Sequence, residues 1–328
     1  MAKGNLYSKA SVSVLNRTDF NERLNNVAIR TLFYGGNKQP LMPNGREVKT
    51  YEDLAKSNDQ QTKLAILRMD VDSLGQIFIN GFDESMNGQK KSFAAYATLS
   101  FMLEACFCGH INYVHQKTDK EYKDFVQILY SGGDDLFAVG RWDQIIDFAE
   151  DIRKEFRRFV GRDDITISGG IAIVGAKYPI MKSAELSGEM EKQAKAFNDN
   201  DKNAINFFGE PVSWDWEFDF VKDLKTKLSN EKINSAFLHK MQEFKLLKDK
   251  YKNGKSETPS YKWNAAYYTS KILENTKDLG VRSIIKEIQI GVFAGIENID
   301  SERYLDLLGI ACRWTEYHKK ISKQNNNN

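Results

Sequence analysis

The chain has 328 residues, 41% of them hydrophobic and 28% charged, a globular balance with length enough for two domains. Its formal net charge of +2 gives no global case for nucleic-acid binding, although local runs can still supply one. Three cysteines (Cys106, Cys108, Cys312) without a C-x-x-C pair argue against a disulfide framework and a structural zinc site. Four histidines (His110, His115, His239, His318), none adjoining an aspartate, leave no visible His-Asp hydrolase core.

The N-terminal MAKGNLYSKASVSVLNRT has no apolar core of the kind a signal peptide needs. No uninterrupted apolar stretch of about 18 residues stands out, so the expectation is a cytoplasmic, reduced chain with no membrane contact. Residues 1–60 read as a polar lead-in of short strands or loop, with turns at Tyr34-Gly35-Gly36-Asn37 and Pro43-Asn44-Gly45.

The next stretch, LAILRMDVDSLGQIF (64–78), opens on an apolar run that predicts a buried strand ending at Asp70-Val71-Asp72. FAAYATLSFMLEACFCGHINYVH (93–115) is apolar almost throughout and too long for a strand, so it predicts a core helix in which Cys106 and Cys108 are inert. VQILY (126–130) and LFAVG (136–140) predict a hairpin around the turn S-G-G-D-D. From 143, apolar residues Ile145, Phe148, Ala149, Ile152, Phe156 and Phe159 recur at helical spacing. ITISGGIAIVG (165–175) is a third strand, and SAELSGEMEKQAKAF after Pro179 another helix.

This order predicts an α+β fold: a ferredoxin-like palm over 61–212, its helices on one face of an antiparallel-centred sheet. Beyond Pro211 the pattern is helical only, at 214–229, 231–252, 261–275, 280–293 and 301–320. That predicts an all-α C-terminal domain over 213–328, with a disordered tail from Asn325 to Asn328.

Two acidic clusters stand at corresponding places: Asp70 with Asp72 at a strand end, and Asp134 with Asp135 in a hairpin turn. Gly and Asp are common turn residues, so a plain hairpin is one reading. The other is a metal site. If the strands are neighbours, three or four carboxylates meet, and such a cluster is unstable without a cation. Hard divalent ions with oxygen ligands answer that need, and a pair of them suits phosphoryl transfer. Gly132 and Gly133 leave backbone N–H groups open to a triphosphate.

LRMDVDSLG, YSGGDDLFAVG and ITISGGIAIV together resemble the nucleotidyl-cyclase (GGDEF-like) palm of the large polymerase-like subunit of type III CRISPR interference complexes. The resemblance is to the second of that subunit's two palms. It runs over roughly residues 45–320, taking in KTYEDLAKS and KYPIMKSAELSGEMEKQAK. A GGDEF diguanylate cyclase would carry Glu and Phe where this chain has Asp135 and Leu136.

The resemblance implies an antiviral nucleotidyltransferase that turns ATP into cyclic oligoadenylates with Mg²⁺ or Mn²⁺ once target RNA is bound. By position, Asp70, Asp134 and Asp135 are implied as catalytic and metal-holding, and Asp72 as a further ligand or supporting partner. Ser73, Leu74, Gly75, Ser131, Gly132 and Gly133 would lie along the phosphates. Lys195 would meet a phosphate as a point charge, its alternative being a solvated helix lysine.

The family's His-Asp nuclease, first palm and zinc-bearing insertion have no counterpart here, so the chain reads as a C-terminal half, whether a split gene product or a truncated piece. Single-stranded DNA cleavage is not carried over. The implied partners are the other complex subunits, including the missing N-terminal half or a second palm, with crRNA and target RNA indirectly. A stand-alone nucleotide cyclase and a silent scaffold remain as alternatives.

From Lys222 to Lys255 ten lysines face four acids, which reads as a solvated face or as a contact for RNA or an acidic neighbour. Trp214, Trp216, Phe218 and Phe220 alternate, as a stacking platform or a core would.

Overall fold

A computed structural model describes residues 11–15, 28–32, 38–56, 63–80, 93–230 and 232–325, and the chain divides into two units between Asn206 and Phe207. In the first, β1 (Ser11–Leu15) and β2 (Ala28–Leu32) pair in parallel. The expected turn at Tyr34–Asn37 lies outside the described residues. The turn at Pro43-Asn44-Gly45 is present: Gly45 takes φ 68°, and its N–H donates to the Met42 carbonyl at 2.8 Å. The short α1 (Tyr51–Ala55) starts with a capping box, in which Thr50 Oγ1 accepts from the Asp53 N–H and the Asp53 carboxylate accepts from the Thr50 N–H.

Next come β3 (Lys63–Val71), α2 (Leu74–Asn80) and α3 (Phe93–Ala105). A π-helical turn, Cys106–His110, joins α3 to α4 (Ile111–His115). After α5 (Tyr122–Phe125) come β4 (Val126–Gly132) and β5 (Asp135–Arg141), then α6 (Trp142–Val160), β6 (Ile167–Gly175), α7 (Ile180–Lys195), α8 (Phe197–Asn200) and β7 (Ala204–Phe207).

The sheet runs β4-β5-β3-β6-β7, with β3 antiparallel to both β5 and β6. This is the split βαβ plan that the element order predicts. Its central strand can be apolar on both sides because both sides are covered. Leu64 and Ile66 point one way and pack with Leu54 and Ala55 of α1, Val139 and Val174, with Ile180 and Leu186 of α7 beside them. Ala65, Leu67, Met69 and Val71 alternate to the other face, where they are also buried, and α6 runs against β3, β5 and β6. The expected single helical face is therefore corrected: α1 and α7 lie opposite the alternate set. Continuous burial in β3 was the signal, since a one-faced sheet alternates.

The stretch 93–115 is helical as expected, but Phe93, Phe101 and Met102 in its first half are exposed rather than core. By length and composition Phe93–His115 is apolar enough to cross a bilayer. Its second half is packed in the palm, with the Phe107 and Phe156 rings 6.0 Å apart edge to face and His115 against Phe148. Cys106 and Cys108 are buried and free, and burial pushes the Cys106 thiol up to about 12.

The second unit opens on β8 (Glu210–Ser213), just ahead of the first expected helix, followed by α9 (Glu217–Leu228), α10 (Ser235–Lys252), α11 (Ser260–Asn275), α12 (Leu279–Ala294) and α13 (Ser301–Asn325). Helix starts are set by Asn234, which accepts from the Phe237 N–H at 2.9 Å, and Asp278, which accepts from Val281 at 3.0 Å. Helix α13 runs into the tail as far as Asn325; 326–328 lie outside the described residues.

Trp214 and Phe218 are core residues whose ring centroids stand 4.9 Å apart, while Trp216 is exposed. Much of the lysine run is engaged inside this unit. Lys227 pairs with Glu287 at 2.7 Å and Lys240 with Glu243 at 2.8 Å. Lys245 pairs with Asp249 at 2.9 Å, and Lys232, Lys248 and Lys252 pair with Asp278, Asp306 and Glu302. These pairs weaken the case for a free basic surface.

Candidate active site

Gly132 on β4 pairs with Asp135 on β5, leaving Gly133-Asp134 as a two-residue turn. Gly133 takes φ 65°, a left-handed value that suits the tight turn and favours glycine. Further up β4 the register shifts between Ile128 and Tyr130, so Leu129 is extra and Tyr130 is re-aimed beside the turn. The β3–β5 register sets Asp70 directly opposite Asp135. The Val71 N–H donates to the Asp134 carbonyl at 3.1 Å, tying the turn to the end of β3. The two acidic clusters thus meet at one end of the sheet.

Their charges are poorly compensated. Burial, then the charges of Asp70 and Asp135, push the Asp134 carboxyl above the usual carboxylate range. Burial and the Asp70 charge push Asp135 up too, against Arg68 and a hydrogen bond from Tyr130. Asp135 Oδ1 is buried with no hydrogen-bond partner. Lys195 Nζ pairs with Asp70 and stands 3.2 Å from Glu191 Oε1. Burial alone would lower the Lys195 ammonium, but its hydrogen bond to Asp70 and the charges of Asp70 and Glu191 raise it.

Asp72 does not join this cluster. It is 3% exposed, and its Oδ2 accepts from Thr166 Oγ1 at 2.8 Å, Ser168 Oγ at 2.9 Å and the Asn203 N–H at 3.1 Å. Burial outweighs these donors and holds its carboxyl up. Through Oδ2 it is a latch between β3, β6 and the loop before β7, the supporting role of the two expected for it, while its Oδ1 is buried with no hydrogen-bond partner. Alternation along β3 would put Asp72 on the side of Asp70, but the strand ends at Val71 and the chain turns.

Ser131 is fully buried, and its Oγ donates at 2.5 Å to the Phe107 carbonyl in the π-helical turn. Gly132 is backed by Tyr130 and Cys108, whereas Gly133 faces open space. Ser73, Leu74 and Gly75 form the turn into α2, with Ser73 at φ 54° and its Oγ accepting from Lys202 Nζ at 2.8 Å.

Six neighbours were not singled out from the sequence: Arg68, Tyr130, Thr166, Ser168, Glu191 and Lys202. Arg68 was findable, since two residues before Asp70 on a strand is the same face, where its Nε lies 3.7 Å from Glu191 Oε2. Tyr130 depends on a one-residue bulge that leaves no mark in composition.

Among the described residues, no three His, Cys, Asp or Glu side chains stand ready-made as a metal cage. Mg²⁺ ordinarily needs only one or two carboxylates, with water and substrate phosphates completing its shell. Hard oxygens of Asp70, Asp134 and Asp135, an orphaned buried Asp135 oxygen and unrelieved repulsion fit such an ion.

Sheet order, hairpin and carboxylates define a palm domain. Residues 63–206 match the family model described as Cas10/Cmr2, second palm domain. Similar curated proteins are the CRISPR system single-strand-specific deoxyribonucleases Cas10/Csm1 (subtype III-A). That of Mycobacterium tuberculosis is 34% identical over 59% of this chain and 26% of the relative; that of Streptococcus thermophilus is 31% identical over 78% and 33%. The chain thus spans about a quarter to a third of their length. Among solved structures, the apo Csm1-Csm4 cassette shares the fold with a TM-score of 0.67, at 20% identity over 93% of this chain and 43% of that one. Cassettes in complex with one ATP and with cA4 match with TM-scores of 0.63 and 0.64.

Proposed function

We propose that this chain supplies the nucleotidyl-transfer palm of a type III CRISPR effector and joins ATP molecules into cyclic oligoadenylates. The observation that carries this reading is the cross-strand pair Asp70–Asp135 with Asp134 beside it. A silent scaffold leaves that repulsion without a use. The complexes of structurally similar cassettes with ATP and cA4 support a nucleotide as substrate.

In this reading Asp70, Asp134 and Asp135 hold Mg²⁺ or Mn²⁺, which when bound would neutralise charge on the attacking and leaving oxygens. Gly133 keeps the turn free of side chains where the phosphates pass. Lys202 and Ser73 fix the neighbouring turn, and Asp72 holds the loop that carries Lys202. Partners are other subunits of the complex, among them a second palm, with guide and target RNA acting through them. Adenine preference rests on likeness to the family. Competition among the four nucleoside triphosphates tests it, equal use of GTP counting against it.

Pyrophosphate release from ATP with Mn²⁺ tests the chemistry. Wild type should release it, and Asp134→Ala with Asp135→Ala should lose it by orders of magnitude. Near wild-type release by that variant would overturn the assignment.

A further inference from the structure

Resting on that metal-dependent reading, we propose that Lys195 is an internal counter-cation that keeps the divalent ion off Asp70 until a triphosphate draws the ammonium away, so that metal and nucleotide load together.

Lys195 is held at Asp70 by the fold. It lies in the last turn of α7, and α7 sits on β6 with no room to spare: a Cβ on Gly170 would come within 2.3 Å of the Glu191 backbone nitrogen and 2.5 Å of the Ser187 carbonyl oxygen. One turn back, Glu191 meets Lys195 at 3.2 Å on one side and Arg68 at 3.7 Å on the other, which steers the ammonium to the end of β3. The result is a carboxylate trio with one member already paired. Lys195 occupies Asp70, while Asp134 and Asp135 remain raised by burial and by the Asp70 charge.

An ammonium in contact with Asp70 competes with a divalent ion by charge and by position. A triphosphate offers that ammonium several anionic oxygens, and a lysine stem is flexible enough to reach for them. Moving Lys195 to phosphate frees Asp70 at the moment when phosphate oxygens complete the metal's shell. Each ligand then tightens the other by the same factor.

The test is Mn²⁺ titration of the full chain, followed by the electron paramagnetic resonance of free Mn²⁺, with and without AMPPNP. Wild type should bind Mn²⁺ weakly alone and roughly 5- to 150-fold tighter with AMPPNP, the ordinary range of such coupling. Lys195→Met should bind Mn²⁺ more tightly than wild type without nucleotide, and the gain from AMPPNP should shrink. Lys195→Arg should behave as wild type. Lys195→Gln provides a second neutral variant should Lys195→Met not fold, circular dichroism deciding which is used. A folded neutral variant that binds Mn²⁺ no more tightly than wild type overturns the counter-cation role and leaves the metal site standing. If wild type binds no more Mn²⁺ than Asp134→Ala with Asp135→Ala even with AMPPNP, the metal reading fails and the role falls with it.

Discussion

Asp70 of β3 and Asp135 of β5 are direct cross-strand partners in an antiparallel ladder. Like charges directly opposite one another destabilise a sheet, and Asp134 adds a third beside them. Lys195 relieves Asp70 but leaves the hairpin pair above the usual carboxylate range. The site is therefore in tension when no further cation is present.

Relieving that tension should stabilise the metal-free protein. A carboxyl raised in the folded state disfavours folding once ionised, so its contribution is lost as pH rises from about 4 through the raised value. Asp134→Asn with Asp135→Asn should melt together with wild type below about pH 4 and at an equal or higher temperature at pH 7. A lower melting temperature at pH 7 would mean that the pair stabilises the fold.

Asp72 should behave in the opposite sense. Asp72→Ala strands the Thr166 and Ser168 hydroxyls and the Asn203 N–H, and should cost about 1–3 kcal/mol. Asp72→Asn, which keeps an acceptor oxygen, should cost less. Chemical denaturation of both variants measures this; Asp72→Ala as stable as wild type would remove the latch.

Gly170→Ala tests the seat of α7. The added carbon would sit 2.3 Å from the Glu191 nitrogen, so helix and strand must part. Overpacking of this kind costs about 1–3 kcal/mol or more. Because α7 carries Lys195, the variant should also loosen the Lys195–Asp70 pair. A nitrogen-15 ammonium resonance that stays as protected as in wild type would speak against that link.

The strand and helix order of the palm was legible because its cues are local. Alternation, apolar runs and helical spacing mark β3, β4, β5, α6 and α7, and the GGDD turn names its own hairpin. What escaped depends on pairing. The register that brings Asp70 onto Asp135 follows from the fold plan, but the turning-in of Asp72 follows from Thr166 and Ser168, 94 and 96 residues away. Ser131 sits inside a motif, yet its hydroxyl is claimed by a π-helical turn 24 residues earlier. The short strands β7 and β8, of four residues each, are below the length at which periodicity can speak.

Joining two ATP molecules requires one triphosphate held as electrophile and a second ribose hydroxyl held in line, and orienting both can supply about 7–11 kcal/mol of the barrier. On the proposed reading, Asp70, Asp134 and Asp135 serve one metal-bound triphosphate and a second palm completes the site. The most direct measurement follows conversion of radiolabelled ATP with Mn²⁺ over a range of protein concentrations, with and without a separately supplied first palm. Cyclic oligoadenylate should be scarce when the chain is dilute, should rise with concentration or on adding the first palm, and should vanish with Asp134→Ala and Asp135→Ala. No oligoadenylate from the completed pair, or full-speed synthesis by a demonstrated monomer, would contradict the account.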